Sequence, residues 1–524
     1  MLMLLLIGVL SVLFYFKVIK VNKYWEEKGV PYIKPLPIFG NMISNVFQRK
    51  SFTDLVHDMY KAYPNERYVG IFQFTTPTLL VRDLELLKKI TVKDFDVFPD
   101  HRMFASSASD PIASKNLFNL KAGNGWQDMR ATLSPAFTSS KMRAMFVLMD
   151  ECADQFIKHF KKQNGVIPLE LKDTFTRFTN DVIGTTAFGV TCDSLKDRNN
   201  DFYEMGKELT AFRGLQLLKF VGFIFSPTLM GLLNIKIFSE RVTDFFKSLV
   251  NQTLKIRTEQ GIVRPDMIHL LMEAKNGRLK FENQNNVIDT GFAVVEESEL
   301  GKTKRQRMEI TDDDITAQAL IFFFAGFDAG SSLMCYICYE LARNPDIQEK
   351  LYREIIEACN KKMTYEAVLG MKYLDCVVSE TLRKWPLGPF LDRVSVKPFT
   401  IEPERPGEKP LHLEAGSTIW VPVMGIHRDP NHYPDPEKFD PERFNDENKK
   451  NIKPFSYLPF GTGPRNCIGS RFALLESKLI VVRILQDFEI VPVDKTPDRI
   501  IFSASNLNPL PDGGFWVGFK QRST

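Results

Sequence analysis

Phe460-Gly461-Thr462-Gly463-Pro464-Arg465-Asn466-Cys467-Ile468-Gly469 is the stretch on which the reading of this 524-residue chain turns. Glycine and proline at close intervals break regular structure, and the apolar periodicity that follows predicts a helix starting near Gly469. One cysteine therefore stands where a glycine-rich loop enters a helix. Backbone N–H groups and a helix amino terminus there favour a thiolate over a thiol. Gly463 and Gly469 remove side chains, so a wide planar ligand can lie against the loop. Arg465 brings a cation toward whatever anion such a ligand carries.

Outward from this loop, the most distinctive element is a long helix. Thr311-Asp312-Asp313-Asp314 starts it with a hydroxyl cap and acids in the first turn. Apolar periodicity continues to about Ala342, and Asn344-Pro345 ends it. Some thirty residues at 1.5 Å each give roughly 45 Å, enough to cross a whole domain. Its middle reads Phe322-Phe323-Phe324-Ala325-Gly326-Phe327-Asp328-Ala329-Gly330-Ser331-Ser332. Glycines and a carboxylate inside a buried helix are costly, so close ligand approach or polar chemistry is expected to compensate. Helical periods also run over Met142 to Lys161, Leu171 to Phe188, Arg241 to Arg257, Asp346 to Cys359 and Tyr373 to Lys384. Strand-like runs are fewer: Tyr68 to Phe74, Thr78 to Val81, Thr418 to Val423 and Phe515 to Phe519. The fold class is therefore mainly α with a small β region, and Asn276 to Arg307 reads as a polar surface excursion.

Residues 1 to 16 carry no charge, and Lys17, Lys20 and Lys23 follow. The run lacks the basic start and small-residue cut site of a cleaved signal, and it predicts a single transmembrane helix at 1-20. Lysines after the span leave the rest in the cytosol. Three prolines and a terminal glycine in Pro31 to Gly40 make 21-40 a stiff hinge, and 41-524 is read as the catalytic domain. The net charge of +4 is too small over this length to argue for nucleic acid. Seven scattered cysteines do not form a disulfide framework, and Cys335 and Cys338 are expected to pack within a helix. Neither an HExxH nor a GxSxG motif occurs. Gly301-Lys302-Thr303 lacks the strand-to-helix setting of a phosphate loop.

The loop resembles the haem-binding signature of the cytochrome P-450 superfamily, which asks for the residue types of Phe460, Gly463, Arg465, Cys467 and Gly469. Glu380-Thr381-Leu382-Arg383 resembles the family's Glu-x-x-Arg, and Pro441-Glu442-Arg443-Phe444 its Pro-Glu-Arg-Phe element. The resemblance implies that Glu380, Arg383 and Arg443 form a buried structural network. It also implies that Cys467 binds the haem iron, and that Trp126, Arg130 and Arg393, with His101 nearby, serve the haem propionates. The anchor, hinge and excursion most resemble microsomal members from insects that oxidise foreign compounds.

The implied activity is a monooxygenase in the endoplasmic reticulum membrane. It would use NADPH-derived electrons, delivered by a reductase with cytochrome b5 as a further partner, and act on small lipophilic substrates. Ala325 and Gly326 would leave room for oxygen, and Asp328 would relay protons with Ser331 nearby. One position departs from the pattern: the family's threonine after the acid is Ala329 here, and alanine cannot donate a hydrogen bond. This departure keeps open a haem-thiolate isomerase or dehydratase that acts on peroxides without a reductase. A non-catalytic haem or lipophile carrier is the reading from another class. Phe322 to Phe324, Phe104 to Leu120 and Leu215 to Leu233 are candidate walls of an apolar pocket or membrane-access route.

Overall fold

Thr311 caps the long helix through a capping box: its hydroxyl accepts from the Asp314 N–H, and the Asp314 carboxylate accepts from the Thr311 N–H. In the computed structural model, which describes residues 20–102, 105, 107, 109–211, 214–277, 291–295, 309–359, 363–506 and 508–522, this helix organises the rest. The helices that position the site are α1 (Trp126–Leu133), α2 (Ser139–Lys161), α3 (Leu171–Ile183), α4 (Leu215–Phe225), α5 (Pro227–Leu232), α6 (Met267–Lys275), α7 (Asp312–Ala325), α8 (Ser331–Arg343), α9 (Lys372–Lys384) and α10 (Ser470–Asp487). A π-helical turn over Gly326–Gly330 joins α7 to α8. The joined helix is apolar and long enough to cross a membrane by length and composition, but most of its apolar window is buried inside the fold.

Among the described residues, nine short strands complete the frame: β1 (Tyr68–Gln73), β2 (Thr76–Val81), β3 (Val166–Glu170), β4 (Leu391–Val394), β5 (Phe399–Ile401), β6 (Leu411–Leu413), β7 (Thr418–Val421), β8 (Phe488–Val491) and β9 (Trp516–Gln521). They form sheets ordered β1-β2-β7-β4, β3-β9-β8 and β5-β6. The sequence reading missed β3, β4, β5, β6 and β8. Each is five residues or fewer, too short for a period of two to stand out. Pro168 further disguises β3, which forms because the edge of β9 pairs with it from Val166↔Lys520 to Glu170↔Trp516.

The proline-rich connector does not stand free as a spacer. Tyr32 and Gly40 bridge to β1 residues Gly70 and Gln73, and the Asn41 side chain bonds to the Ile33 and Lys34 carbonyls. A side chain at Gly40 would lie 2.3 Å from the Phe74 carbonyl oxygen, so only glycine lets the connector press against the sheet. Of the expected anchor at 1-20, all but Lys20 lies outside the described residues, as do Phe104 and Gly301-Lys302-Thr303. Cys335 and Cys338 are fully buried in α8, as expected of packing residues.

The implied charge network is present. Glu380 and Arg383 pair at 2.6 Å with no exposure on either side, and Arg443 reaches Glu380 at 3.5 Å. Burial opposes charge on Arg383, but the Glu380 carboxylate more than offsets it, so the guanidinium pKa is raised. Arg383 also donates to the His427 and Pro436 carbonyls, tying α9 to the segment that leads into the cysteine loop.

Candidate active site

Gly461 and Gly463 both hold positive φ, 77° and 71°. At Gly463 a Cβ would sit 2.0 Å from the Thr91 carbonyl oxygen. The loop therefore needs glycine for its turn and for its contact with the body. Inside it, the Cys467 N–H donates to the Phe460 carbonyl at 2.9 Å, and the Asn466 N–H to the Gly463 carbonyl at 3.0 Å. Gly469 then caps α10.

Cys467 has an exposed surface, yet protein surrounds it closely enough that desolvation raises its thiol pKa, against the lowering pull of the Gly469 N–H and Arg130. That is a correction to the sequence expectation, in which loop and helix terminus alone lower the pKa. The combination of exposure and desolvation describes a side chain lining an internal chamber. Ala325 at the end of α7 is likewise exposed, although Phe323 and Phe327, two residues to either side, are buried.

The basic residues gather around the loop, but each holds protein. Arg465 donates to the carbonyls of Pro99, Leu117 and Leu120, approaches Asp100 at 3.4 Å and lies 4.0 Å over the Trp126 ring. Desolvation lowers its pKa to about 9, with Asp100 opposing. Arg130 clamps Asn466, donating to its carbonyl at 2.7 Å and its side-chain oxygen at 2.6 Å. Arg393 donates to the Asp392 and Thr462 carbonyls; burial brings its pKa down to about 10. His101 meets Asp392 at 2.8 Å and stacks on Phe118 at 4.4 Å.

Three buried arginines thus face two carboxylates, Asp100 and Asp392, and the Arg393 Nε is buried with no hydrogen-bond partner among the described residues. The orphaned Arg393 donor, buried among these basic groups, calls for an anionic ligand. Haem, a flat dianion whose iron takes a thiolate, fits this donor set. Asp392 was not foreseen, although its place beside Arg393 on β4 was a readable hint.

The long helix formed by α7 and α8 divides its residues between two faces. The space left by Gly326 is taken by Ile183 of α3: a Cβ at Gly326 would lie 2.8 Å from the Ile183 Cδ1, so Gly326 serves helix packing and not the chamber. Asp328 forms an ion pair with Lys172 at 2.9 Å, and Asn508 donates to its other oxygen at 2.5 Å. Lys172 also donates to the Asp328 carbonyl and to the Ser331 and Ser332 hydroxyls, each at 2.8 Å. Ser331 is fully buried and donates to the Phe327 and Asp328 carbonyls, so its hydroxyl is engaged with the helix. Lys172 and Asn508 were invisible in sequence, being far from Asp328 along the chain and in no motif. Phe323 is a core residue, packed among Phe188, Phe202 and Phe246, while Phe322 and Phe324 are half-buried.

A cleft of about 1070 Å³ lies between the end of α8, the end of α9 and the carboxy-terminal loop. It is lined by charges of both signs, including Arg343, Lys384, Arg428, Asp440 and Asp498, and by none of the residues above. It does not suit a lipophile.

The cytochrome P450 family model matches residues 30–512. Cytochrome P450 9e2 of Blattella germanica is 47% identical over 521 residues, covering 96% of this chain and 94% of that protein. Probable cytochrome P450 9f2 of Drosophila melanogaster is 42% identical over 533 residues, covering 99% of each. Cytochrome P450 6k1 of Blattella germanica is 38% identical, covering 90% of this chain and 88% of that protein. With a cysteine loop, a cationic cradle and a buried Glu380–Arg383 pair in place, this chain belongs to the cytochrome P450 family, and is a haem-thiolate monooxygenase.

Proposed function

We propose that this protein is a membrane-bound monooxygenase that inserts one oxygen atom from O2 into lipophilic substrates, with electrons from NADPH passed on by a reductase. The observation that carries the reading is Cys467, accessible inside a desolvated chamber at the end of a glycine loop. Haem bound there supplies the activation of dioxygen, which a thiolate ligand favours by pushing electron density onto the iron. Cys467 is the residue that would hold the iron. Phe460, Gly463 and Gly469 shape the loop against which the haem would lie. Arg130, Arg393 and Arg465 supply the positive surround for its carboxylates, and Trp126 and His101 offer N–H donors beside them. Ala325 keeps the opposite wall of the chamber low.

Asp328 is the acid placed to hand protons inward from the Lys172 and Asn508 side. The bilayer is proposed as a partner on two grounds. One is the apolar run at residues 1–16. The other is an exposed apolar crest on α4 and α5, with Leu215 at 70% and Leu232 at 80% exposure. The connector residues Leu36 and Ile38 and the nearby Phe47 are exposed as well, and the two regions meet at Phe74, whose ring packs on Phe225 at 4.5 Å. Such a crest rimmed by polar surface suits a lipid interface. This arrangement accords with a catalytic domain on the cytosolic face of the endoplasmic reticulum, with substrate arriving from the lipid.

A second reading is favoured by one observation: Ala329 has no hydroxyl and Ser331 is engaged with its own helix. A rearrangement of peroxides needs neither reductase nor an alcohol beside the acid. The test is expression in microsomes with a reductase, screening lipophilic compounds and lipid hydroperoxides with and without NADPH. Product that requires NADPH and oxygen is the expected result. Product from hydroperoxides without NADPH would establish the rearrangement instead, and binding without any turnover would leave a carrier.

A further inference from the structure

The polar excursion after α6 is not needed to connect the helices on either side of it. Lys275, at the end of α6, pairs with Asp312, at the start of α7, at 2.7 Å. The chain nonetheless runs from Asn276 to Thr311 between these two neighbouring ends. Within that run, Gly291–Val295 is seated on a different part of the molecule. Asp375 of α9 accepts the Phe292 N–H at 2.8 Å with one oxygen and the Lys478 ammonium of α10 at 2.7 Å with the other. The Lys478 side chain has no exposure. Gly291 has φ +108°, and a Cβ there would lie 2.0 Å from the Asp375 oxygen, so the contact admits glycine alone. Ala293 is 2% exposed, and the Phe292 ring packs on Phe444 at 5.2 Å and on Tyr457 at 5.4 Å.

Tyr457 is the pillar at the entrance to the cysteine loop. Its hydroxyl donates to the Ser379 carbonyl of α9 at 2.9 Å, and its ring stacks on His427 at 5.5 Å. His427 accepts the Leu458 N–H at 2.7 Å through Nε2. The Leu458 carbonyl accepts from Gly461, and the Phe460 carbonyl from Cys467. Phe292 thus closes the exposed flank of the residue from which the loop is hung.

The geometry points to Gly291–Val295 as a built-in brace for the thiolate loop, with Phe292 as the positioning residue that acts through Tyr457. This rests on the reading of Cys467 as the iron ligand. A docked aromatic contact of this kind restrains local opening more than global unfolding, because it spans elements that are each anchored elsewhere.

The test uses the full-length, haem-loaded protein and three variants. These are Phe292→Ala, Phe292→Leu, and a chain in which residues 278–308 are replaced by a short glycine-serine linker, which the proximity of Lys275 to Asp312 permits. The ferrous carbon monoxide spectrum distinguishes a thiolate ligand from a neutral thiol. Its conversion is followed in mild denaturant, while far-ultraviolet circular dichroism reports the whole fold. The expected result is conversion about tenfold faster in Phe292→Ala and in the linker chain, the factor that roughly 1.4 kcal/mol produces. Dichroism should be unchanged, and Phe292→Leu should stay close to the native rate. Native rates in both disruptive variants, or conversion only in step with loss of dichroism, would overturn the brace alone. A native protein without the thiolate spectrum would sink the Cys467 reading and the brace together.

Discussion

His427 shows how much a single buried side chain holds in place. Its Nδ1–H faces the Arg383 carbonyl at 3.2 Å, while Nε2 accepts the Leu458 N–H, so only the neutral ring satisfies both contacts. Desolvation, with Arg383 adding to it, lowers its pKa from 6.5 to about 3. Between these values the unfolded chain binds a proton that the folded chain refuses. Stability from this group is therefore present above pH 6.5 and is lost as the pH falls toward about 3. The loss should be on the order of 3 kcal/mol by about pH 4. His427→Gln, which can keep one acceptor and one donor, should flatten that part of the acid limb in denaturation curves measured from about pH 7 to about 4. An unchanged acid limb would assign the titration to other groups. Nothing in the sequence singled out His427. The signature residues Cys467, Gly463 and Arg465 were legible because their spacing is their information. The partners that hold them, Thr91, Asp100 and Asn466, became visible only when the chain was folded.

At the scale of the element, the long helix is the case where pattern and structure diverge most usefully. Its start, its end and its interruption were all readable: a cap at Thr311, a stop at Asn344-Pro345 and two misplaced glycines. The π-helical turn over Gly326–Gly330 is how the interruption is resolved. Such turns leave backbone carbonyls without their usual partners. Here Thr179 donates to the Phe327 carbonyl at 3.0 Å and Lys172 to that of Asp328. Both come from α3, so a neighbouring helix joins Ser331 and Ser332 in satisfying the carbonyls of the bulge. Lys172→Met should cost about 1–3 kcal/mol in chemical denaturation, the cost of leaving buried acceptors unmatched. In a double-mutant cycle Asp328→Asn should add little to Lys172→Met, because the two side chains form one ion pair. Full additivity would show that they do not act together.

Across the described residues of the molecule, one group of exposed apolar side chains lies on α4, α5 and the residue after it, with the proline-rich connector nearby, while others such as Val263 and Ile501 are scattered elsewhere. Leu229, Leu232 and Leu233 are exposed at 53%, 80% and 60%, an arrangement that water does not favour. Leu232→Trp in the full-length protein should give a fluorescence signal quenched by vesicles containing brominated lipid. Ile501→Trp, on the carboxy-terminal loop, should not be quenched. Equal quenching at both positions, or none at either, would remove the crest as a lipid contact.

The sequence by itself determined the mainly helical class, the family, the cysteine and the buried Glu380–Arg383 pair. The class rests on periodicity and the cysteine on spacing within one loop, where the chain's own geometry fixes what meets what, while the burial of Glu380 and Arg383 was implied by the family resemblance. Only the tertiary structure decided that Gly326 makes room for Ile183, and that Ser331 and Asp328 are engaged by Lys172. It also decided that the proline connector is stitched to β1, and that Gly291–Val295 docks beside Tyr457. Each of these is a contact between residues from separate elements, and no periodicity along one element encodes which distant element will pack against it.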